Sequence, residues 1–261
     1  MAAPITIRDL SMTFRPKGRP ETHALRGIDL TIAGGEFVAI VGVSGCGKTT
    51  LLRILAGLTV ATEGEVRIGD RRVDAPHQDV SMMFQAPTLL PWRRIFDNVM
   101  LPLDLRTAPG PAEKDKVTAL LDNVGLGDFH DRYPHELSGG MQQRAALCRA
   151  LMTAPDVLLL DEPFGALDAM TRDQMNLDLN AVWRRQRVTT VLITHSISEA
   201  VFLAKRVVVM SPRPGRVTDV IDVPLPDERS AELMGTPEFT RTVAKIRTHF
   251  QGDHATVGAL D

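Results

Sequence analysis

Apolar positions along this chain fall into nearly solid runs, alternating runs and runs with helical spacing, and the three kinds take turns. Phe37-Val38-Ala39-Ile40-Val41, Val157-Leu158-Leu159-Leu160 and Thr189-Thr190-Val191-Leu192-Ile193-Thr194 are the nearly solid ones, as strands buried on both faces must be. Val80-Ser81-Met82-Met83-Phe84, Arg206-Val207-Val208-Val209-Met210 and residues 216–221 read as further strands. Near the start, Ile5, Ile7 and Leu10, then Ala24-Leu25 and Ile28-Asp29-Leu30-Thr31-Ile32, flank Pro16-Lys17-Gly18-Arg19-Pro20 as edge strands flank a turn. Thr62 to Asp70 adds a turn, a short strand and a second turn. Helical spacing predicts helices over 48–56, stopped by Gly57, over 112–124, stopped by Gly125, over 139–151, stopped by Pro155, and over 169–186 and 196–204. Phe239, Val243, Ile246 and Phe250 predict a last helix, and 251–261 read as a loose tail. Leu89 to Val99 reads as a loop unusually rich in large apolar groups. Strands and helices alternating in this way predict an α/β fold.

Composition narrows the class without naming a chemistry. At 261 residues the chain has room for a large domain with a subdomain and a tail. Apolar residues at 44%, charged residues at 24% and a net charge of -2 describe an ordinary globular protein with no general attraction to nucleic acid. The first residues lack the charged and apolar regions of a secretion leader, and no apolar run approaches the roughly 18 residues of a membrane span. A cytoplasmic protein is expected. Cys46 and Cys148 make no framework, so neither a disulfide nor a zinc site is expected.

The candidate chemistry sits where these runs end. Gly42-Val43-Ser44-Gly45-Cys46-Gly47-Lys48-Thr49-Thr50 matches GxxxxGK[ST] in full, between a strand and a helix as that motif requires. Its glycines let successive N–H groups face one concavity, and the helix start adds the positive end of its dipole. Such a loop cradles phosphates, with Lys48 reaching the β and γ phosphates and the Thr49 hydroxyl on Mg²⁺. Asp161 and Glu162 end the apolar run 157–160, and the C-terminal ends of such strands are where open α/β sheets bind ligands. Asp161 is read as a Mg²⁺ partner and Glu162 as the group that polarises an attacking water. His195 ends the run 189–194 and is expected at the same crevice, ahead of Ser196-Ile197-Ser198-Glu199, a capping-box pattern. Ser138-Gly139-Gly140 predicts a second anion site, a capped helix start that a ligand can approach closely. Asp168 is the expected cap of helix 169–186. Phe14 is either an adenine-stacking ring or a core aromatic, and Gln85 alone is a weak signal.

Taken in order, Gly42 to Thr49, Gln85, Leu137-Ser138-Gly139-Gly140-Met141-Gln142-Gln143, Leu160-Asp161-Glu162-Pro163, Ala166-Leu167-Asp168 and His195 resemble the motifs of the ATP-binding cassette (ABC) family, over residues 5–221. The resemblance implies a P-loop NTPase core with a mainly parallel sheet, an antiparallel β subdomain and a helical subdomain at about 88–155 that carries the signature. These would form an ATPase domain over 1–225, followed by a C-terminal helical extension and tail over 226–261. It implies that ATP and Mg²⁺ are bound. Phe14 would then stack on adenine, and Gly42, Val43, Ser44, Gly45, Cys46, Gly47, Lys48, Thr49 and Thr50 would hold the phosphates. Thr49, Gln85 and Asp161 would hold the metal, and Lys48, Gln85, Glu162 and His195 would be catalytic. Ser138, Gly139, Gly140, Gln142 and Asp168 would complete the nucleotide site. Gly165 departs from the family pattern, where many members carry Ser, with little consequence expected because Asp168 remains.

Finer strings resemble the nitrate/sulfonate/taurine importer branch: Leu89-Leu90-Pro91-Trp92-Arg93, Gly140-Met141-Gln142-Gln143-Arg144, Leu167-Asp168-Ala169-Met170-Thr171-Arg172 and Thr194-His195-Ser196-Ile197-Ser198-Glu199-Ala200-Val201-Phe202-Leu203. Riboflavin and pyrimidine-precursor importers share some of them. This implies an ATP-hydrolysing importer subunit, a translocase for a small anion or sulfonate-type solute, working as a head-to-tail dimer at the cytoplasmic face of the membrane. Transmembrane permease subunits would be separate chains docked around Pro91, Trp92 and Phe96, and a solute-binding protein would act indirectly. The rivals are a soluble cassette ATPase acting on DNA or ribosomes, and a P-loop kinase or binding module. The long coiled coils or fused second cassette of the former are missing from the sequence, and the signature with Glu162 and His195 argues against the latter.

Overall fold

The structure is a computed structural model that describes residues 2–106 and 109–251, so the expected tail lies, from 252 onward, outside the described residues. A six-stranded sheet runs in the order β10 (Val217–Asp222), β9 (Arg206–Met210), β3 (Phe37–Gly42), β8 (Thr189–Ile193), β7 (Val157–Asp161), β6 (Val80–Met83). It is parallel except for β10, which pairs antiparallel with β9. A second, four-stranded antiparallel sheet has the order β2 (Thr22–Ile32), β1 (Ile5–Phe14), β4 (Glu63–Ile68), β5 (Arg71–Arg72).

The nearly solid apolar runs are explained by two-sided burial. Every residue of β3 and β8 is buried. Along β3, Val38 and Ile40 pack with α1 (Lys48–Leu55) and with Ile5 and Ile28 of the antiparallel sheet. Phe37, Ala39 and Val41 face the opposite way, toward Leu147 of α4 (Gly139–Leu151), Trp183 of α5 (Ala169–Gln186) and Phe202 of α6 (Ile197–Leu203). Phe37 meets Trp183 edge to face at 5.8 Å between centroids, and Trp183 Nε1 donates to Val188 O at 3.1 Å, so the indole is buried with its polar atom satisfied. Large side chains buried in this way contribute about 1.5–3 kcal/mol each. Phe239, Val243 and Ile246 of α7 (Pro237–Gln251) join the same core.

A third apolar cluster holds together α2 (Ile95–Asp104), α3 (Pro111–Asn123) and the outer face of α4, through Ile95, Val99, Val117, Leu121 and Cys148. Residues 89–99 are therefore not all loop: their second half opens α2. Pro102 inside the last turn and the loop's own apolar residues hide the helical period, while Ile95, Asn98 and Val99 form its buried face. Buried Asn98 organises the loop ahead of it. Its Oδ1 accepts from Leu90 N at 2.7 Å, and its Nδ2 donates to Leu90, Arg93 and Arg94 carbonyls at 3.0–3.1 Å. The loop is wound on that amide and Trp92 is left 71% exposed at its tip.

Candidate functional site

The loop 43–47 joins β3 to α1 with Gly45 at φ +75° and Gly47 at φ +109°, conformations that a side chain disfavours. A Cβ on Gly47 would also stand 2.7 Å from Ala24 O. Lys48 is only 6% exposed, and its Nζ donates to Gly42 O at 2.8 Å and Val43 O at 3.1 Å. The ammonium thus lies across the loop's own carbonyls. A cavity of about 680 Å³ opens over this loop, lined by Ser44, Gly45, Gly47, Lys48, Thr49 and Thr50, by half-exposed Phe14, and by Glu162 and His195. Gly42 and the buried Cys46 lie beneath it: Cys46 Sγ is 3.9 Å from Lys48 Nζ.

Strand register brings the acids and the histidine here. Asp161 pairs with Ile193 across β7 and β8, so Glu162 and His195 leave adjacent strand ends, and His195 Nδ1 lies 3.1 Å from Glu162 Oε2. Glu162 holds φ +46° with its N–H on Ile193 O at 2.9 Å, a strained backbone of the kind that clusters at functional sites. Thr49 Oγ1 donates to Asp161 Oδ1 at 3.2 Å. Burial pushes the Asp161 carboxyl up, opposed by the Thr49 hydroxyl, and the Glu162 charge pushes it further. A hydroxyl and a partly desolvated carboxylate, both oxygen donors, fit a hard divalent cation such as Mg²⁺.

The remaining predicted residues gather elsewhere. Gln85, Gly139 and Gln142 line a second cavity of about 410 Å³ with Gln143 and Leu167. Ser138 caps α4, its Oγ accepting from Met141 N at 3.3 Å, and Gly140 packs so close to Thr171 that a Cβ would meet Thr171 Cγ2 at 2.6 Å. Gln142 Nε2 donates to Pro134 O and Leu137 O, at 2.9 and 3.2 Å. Asp168 caps α5: the Thr171 hydroxyl at 2.7 Å and the Thr171 N–H at 3.0 Å hold its carboxyl below the usual range. Among the residues lining the first cavity there is no member of the group Gln85, Ser138, Gly139, Gly140, Gln142 and Asp168.

Several contacts around the site are not legible in the sequence. The capping box at Ser196 forms only by half: Ser196 Oγ accepts from Glu199 N at 3.3 Å, but the Ser196 N–H goes to Thr194 Oγ1 at 2.9 Å. Glu199 turns inward, where burial pushes its carboxyl up. Arg172 ties the segment before α5 by donating to Phe164 O at 3.3 Å and Leu167 O at 2.7 Å. Gln143 Nε2 donates to Gln85 O at 2.7 Å, and Arg149 donates to Pro87 O and Thr88 O, both at 2.8 Å. Thr22 and Arg213 line the first cavity. Nothing in their local sequence marks them.

Around Trp92, Pro91 is exposed and Phe96 is half-buried against His130, 6.1 Å between centroids. No helix among the described residues is long and apolar enough to cross a membrane.

The family model described as ABC transporter matches residues 25–165. Aliphatic sulfonates import ATP-binding protein SsuB 1 of Agrobacterium fabrum is 49% identical over 247 residues, 95% of this chain and 83% of that one. Nitrate import ATP-binding protein NrtD of Synechocystis is 41% identical over 254 residues, 95% of each chain. Taurine import ATP-binding protein TauB of Roseobacter denitrificans is 43% identical over 240 residues, 90% of this chain and 89% of that one. Among solved structures, a dimeric ATP-binding cassette in a post-hydrolysis state, bound to ADP and Pi, has a TM-score of 0.73 and 31% identity, covering 84% of this chain and 98% of that one. With its phosphate loop, paired strand-end acids and capped α4 in place, the chain belongs to the ABC transporter family.

Proposed function

We propose that this chain is the ATP-hydrolysing subunit of an importer for a small anion or sulfonate-type solute. The relatives named for sulfonate, nitrate and taurine import support that reading over a soluble machine. Residues 1–225 would be the ATPase domain, with the helical subdomain at about 88–155, and 226–261 an extension.

The observation that carries the mechanism is the split between two cavities. Lys48, Thr49, Glu162 and His195 share one; Gly139 and Gln142, at the capped start of α4, share another with Gln85. A single chain therefore offers two half-sites. Two chains arranged head to tail bring the α4 start of one over the phosphate loop of the other, and only that closed pair supplies both sets of donors to the γ phosphate. Phe14 would stack on the adenine, the loop 42–50 would take the phosphates, and Thr49, Asp161 and Gln85 are the residues that would hold Mg²⁺. The chemistry a bound Mg²⁺ would supply is neutralisation of the phosphate charge. Glu162 polarises the attacking water, and His195, 3.1 Å from it, fixes the Glu162 carboxylate and senses the γ phosphate. Hydrolysis removes the group that both half-sites grip, and the pair reopens.

Exposed Trp92, with exposed Pro91 and half-buried Phe96 beside it, is the docking point for permease subunits at the cytoplasmic face of the membrane, a reading supported by this local apolar patch and by the relatives' import names. The test is Mg²⁺-dependent phosphate release by the purified chain, with its mass in solution measured with and without ATP, and co-purification of integral membrane proteins from detergent extracts. Turnover, an ATP-dependent dimer and a co-purifying permease are expected. Binding without turnover, dimer or membrane partner would overturn the reading.

A further inference from the structure

The turn between β9 and β10, residues 211–216, is built onto the outside of the phosphate loop. From this we infer that Arg213 is a positioning residue, holding the Gly45–Cys46 peptide in the orientation that phosphate binding needs. The inference rests on the reading of the first cavity as a nucleotide site.

Arg213 Nε and Nη2 both donate to Gly45 O, at 3.1 and 2.9 Å. The other end of the same peptide unit, the Cys46 N–H, donates to Val43 O at 3.3 Å. One peptide plane is thereby held from two sides, within the loop and from a turn 168 residues away in sequence. The need for an outside hold follows from Gly45. At φ +75° and without a side chain, it has no rotameric or steric preference of its own to keep the peptide from turning over. A turned peptide would present a carbonyl where the cradle must present N–H groups, replacing attraction for phosphate by repulsion.

The turn is itself anchored. Buried Gly215 donates to Ala24 O at 2.9 Å and accepts from Arg26 N at 3.0 Å, so the turn is pinned to β2. A Cβ on Gly215 would overlap Cys46 O, which puts the turn in contact with the next loop carbonyl as well. Ser211 Oγ accepts from Arg216 N at 3.0 Å and donates to Pro212 O and Pro214 O, at 3.0 and 3.2 Å, closing the turn on itself. Arg213 also lines the cavity, so a permanent positive charge stands at the edge of the space the triphosphate enters. The guanidinium fork is the reason for arginine here: lysine can supply the charge and one donor, but not two nitrogens on one carbonyl.

The test compares wild type with Arg213→Met, Arg213→Lys and Gly215→Ala, measuring KM and kcat for MgATP, the Kd of a fluorescent N-methylanthraniloyl ADP, and thermal unfolding. For Arg213→Met, KM and the ADP Kd should rise about tenfold, the scale of losing hydrogen bonds to a charged group, while kcat changes less than threefold. Arg213→Lys should recover part of that loss. Gly215→Ala, which pushes on the loop from the same side without touching the charge, should weaken ADP in the same direction. An unchanged KM and Kd in Arg213→Met would overturn the inference. So would equal losses in KM, kcat and melting temperature with no recovery in the lysine variant, which would mean a general structural role. If wild type itself binds no nucleotide, the reading of the cavity fails and takes this inference with it.

Discussion

Replacing Glu162 by Gln keeps the shape of the side chain and removes its charge. In the structure that charge stands 3.1 Å from His195 Nδ1, in the cavity that holds Lys48 and Thr49. If it polarises the attacking water, its loss costs about 10²–10⁴ in kcat, or about 3–5 kcal/mol of barrier at about 1.4 kcal/mol per decade. Binding should move the other way or not at all. Glu162 repels both an incoming polyphosphate and the neighbouring Asp161, whose carboxyl it helps to push up. Removing it relaxes Asp161 toward ordinary acidity and makes the cavity less negative. Phosphate release at saturating MgATP, nucleotide titration and light scattering with and without ATP measure the three consequences. Turnover should fall at least a hundredfold, affinity should not weaken, and ATP should accumulate a stable dimer because the closed pair no longer hydrolyses its way open. Turnover within threefold of wild type would refute the assignment of Glu162. A raised KM with unchanged kcat would refute it differently, making Glu162 a binding group.

Three further outcomes follow from local geometry. Gly57→Ala places a Cβ at φ +70° onto the backbone of Ala75 and 2.6 Å from Pro76 N; it should cost more than about 3 kcal/mol in urea unfolding, and a loss under about 1 kcal/mol would show that the 75–76 backbone yields. Gly165→Ser meets only ordinary contacts, 3.5 Å to Glu162 O and 3.6 Å to Glu162 Oε2 and His195 Cε1, so kcat should stay within about threefold of wild type in a phosphate-release assay. Burial raises Glu199 in the fold above its unfolded value, near 4.3. Its contribution to stability is therefore complete below about pH 4 and lost as pH rises through the folded pKa. Stability of Glu199→Gln relative to wild type should grow between unfolding measurements at pH 5 and pH 8, and a constant gap would contradict the burial of the ionised form.

Where one interaction dominates a stretch, the sequence announces it. Two-sided burial leaves the bodies of β3, β7 and β8 apolar apart from the fully buried threonines that open β8, so the three strands and the polar groups at or just past their ends, Asp161 and His195, are read together. Caps are as plain, because Ser138 and Asp168 each satisfy an amide three residues on. Ambiguity enters where two periods overlap. Residues 89–99 mix a loop wound on Asn98 with the first turn of α2, and the apolar residues of both blur into one. At Ser196 the pattern of a capping box is present, yet Thr194 supplies the acceptor that Glu199 would have supplied, and the carboxyl is left inside.

What no local pattern can carry is a bond between distant segments, and the working parts of the site depend on such bonds. Gln85 follows β6 in sequence, which suggests that it belongs to the sheet and to the cavity at its strand ends. Its carbonyl is held instead by Gln143, and the next residues by Arg149, both on α4. Gln85 is therefore tied to the layer that carries Ser138 and Gly139, while Lys48, Glu162 and His195 are tied to the sheet. A displacement of α4 against the sheet would move Gln85 with the capped helix start rather than with the phosphate loop. In the proposed head-to-tail pair, Gln85 and the capped start of α4 would then move as one piece, so a single rotation would carry Gln85 toward its own chain's phosphate loop and the α4 start toward the partner chain's.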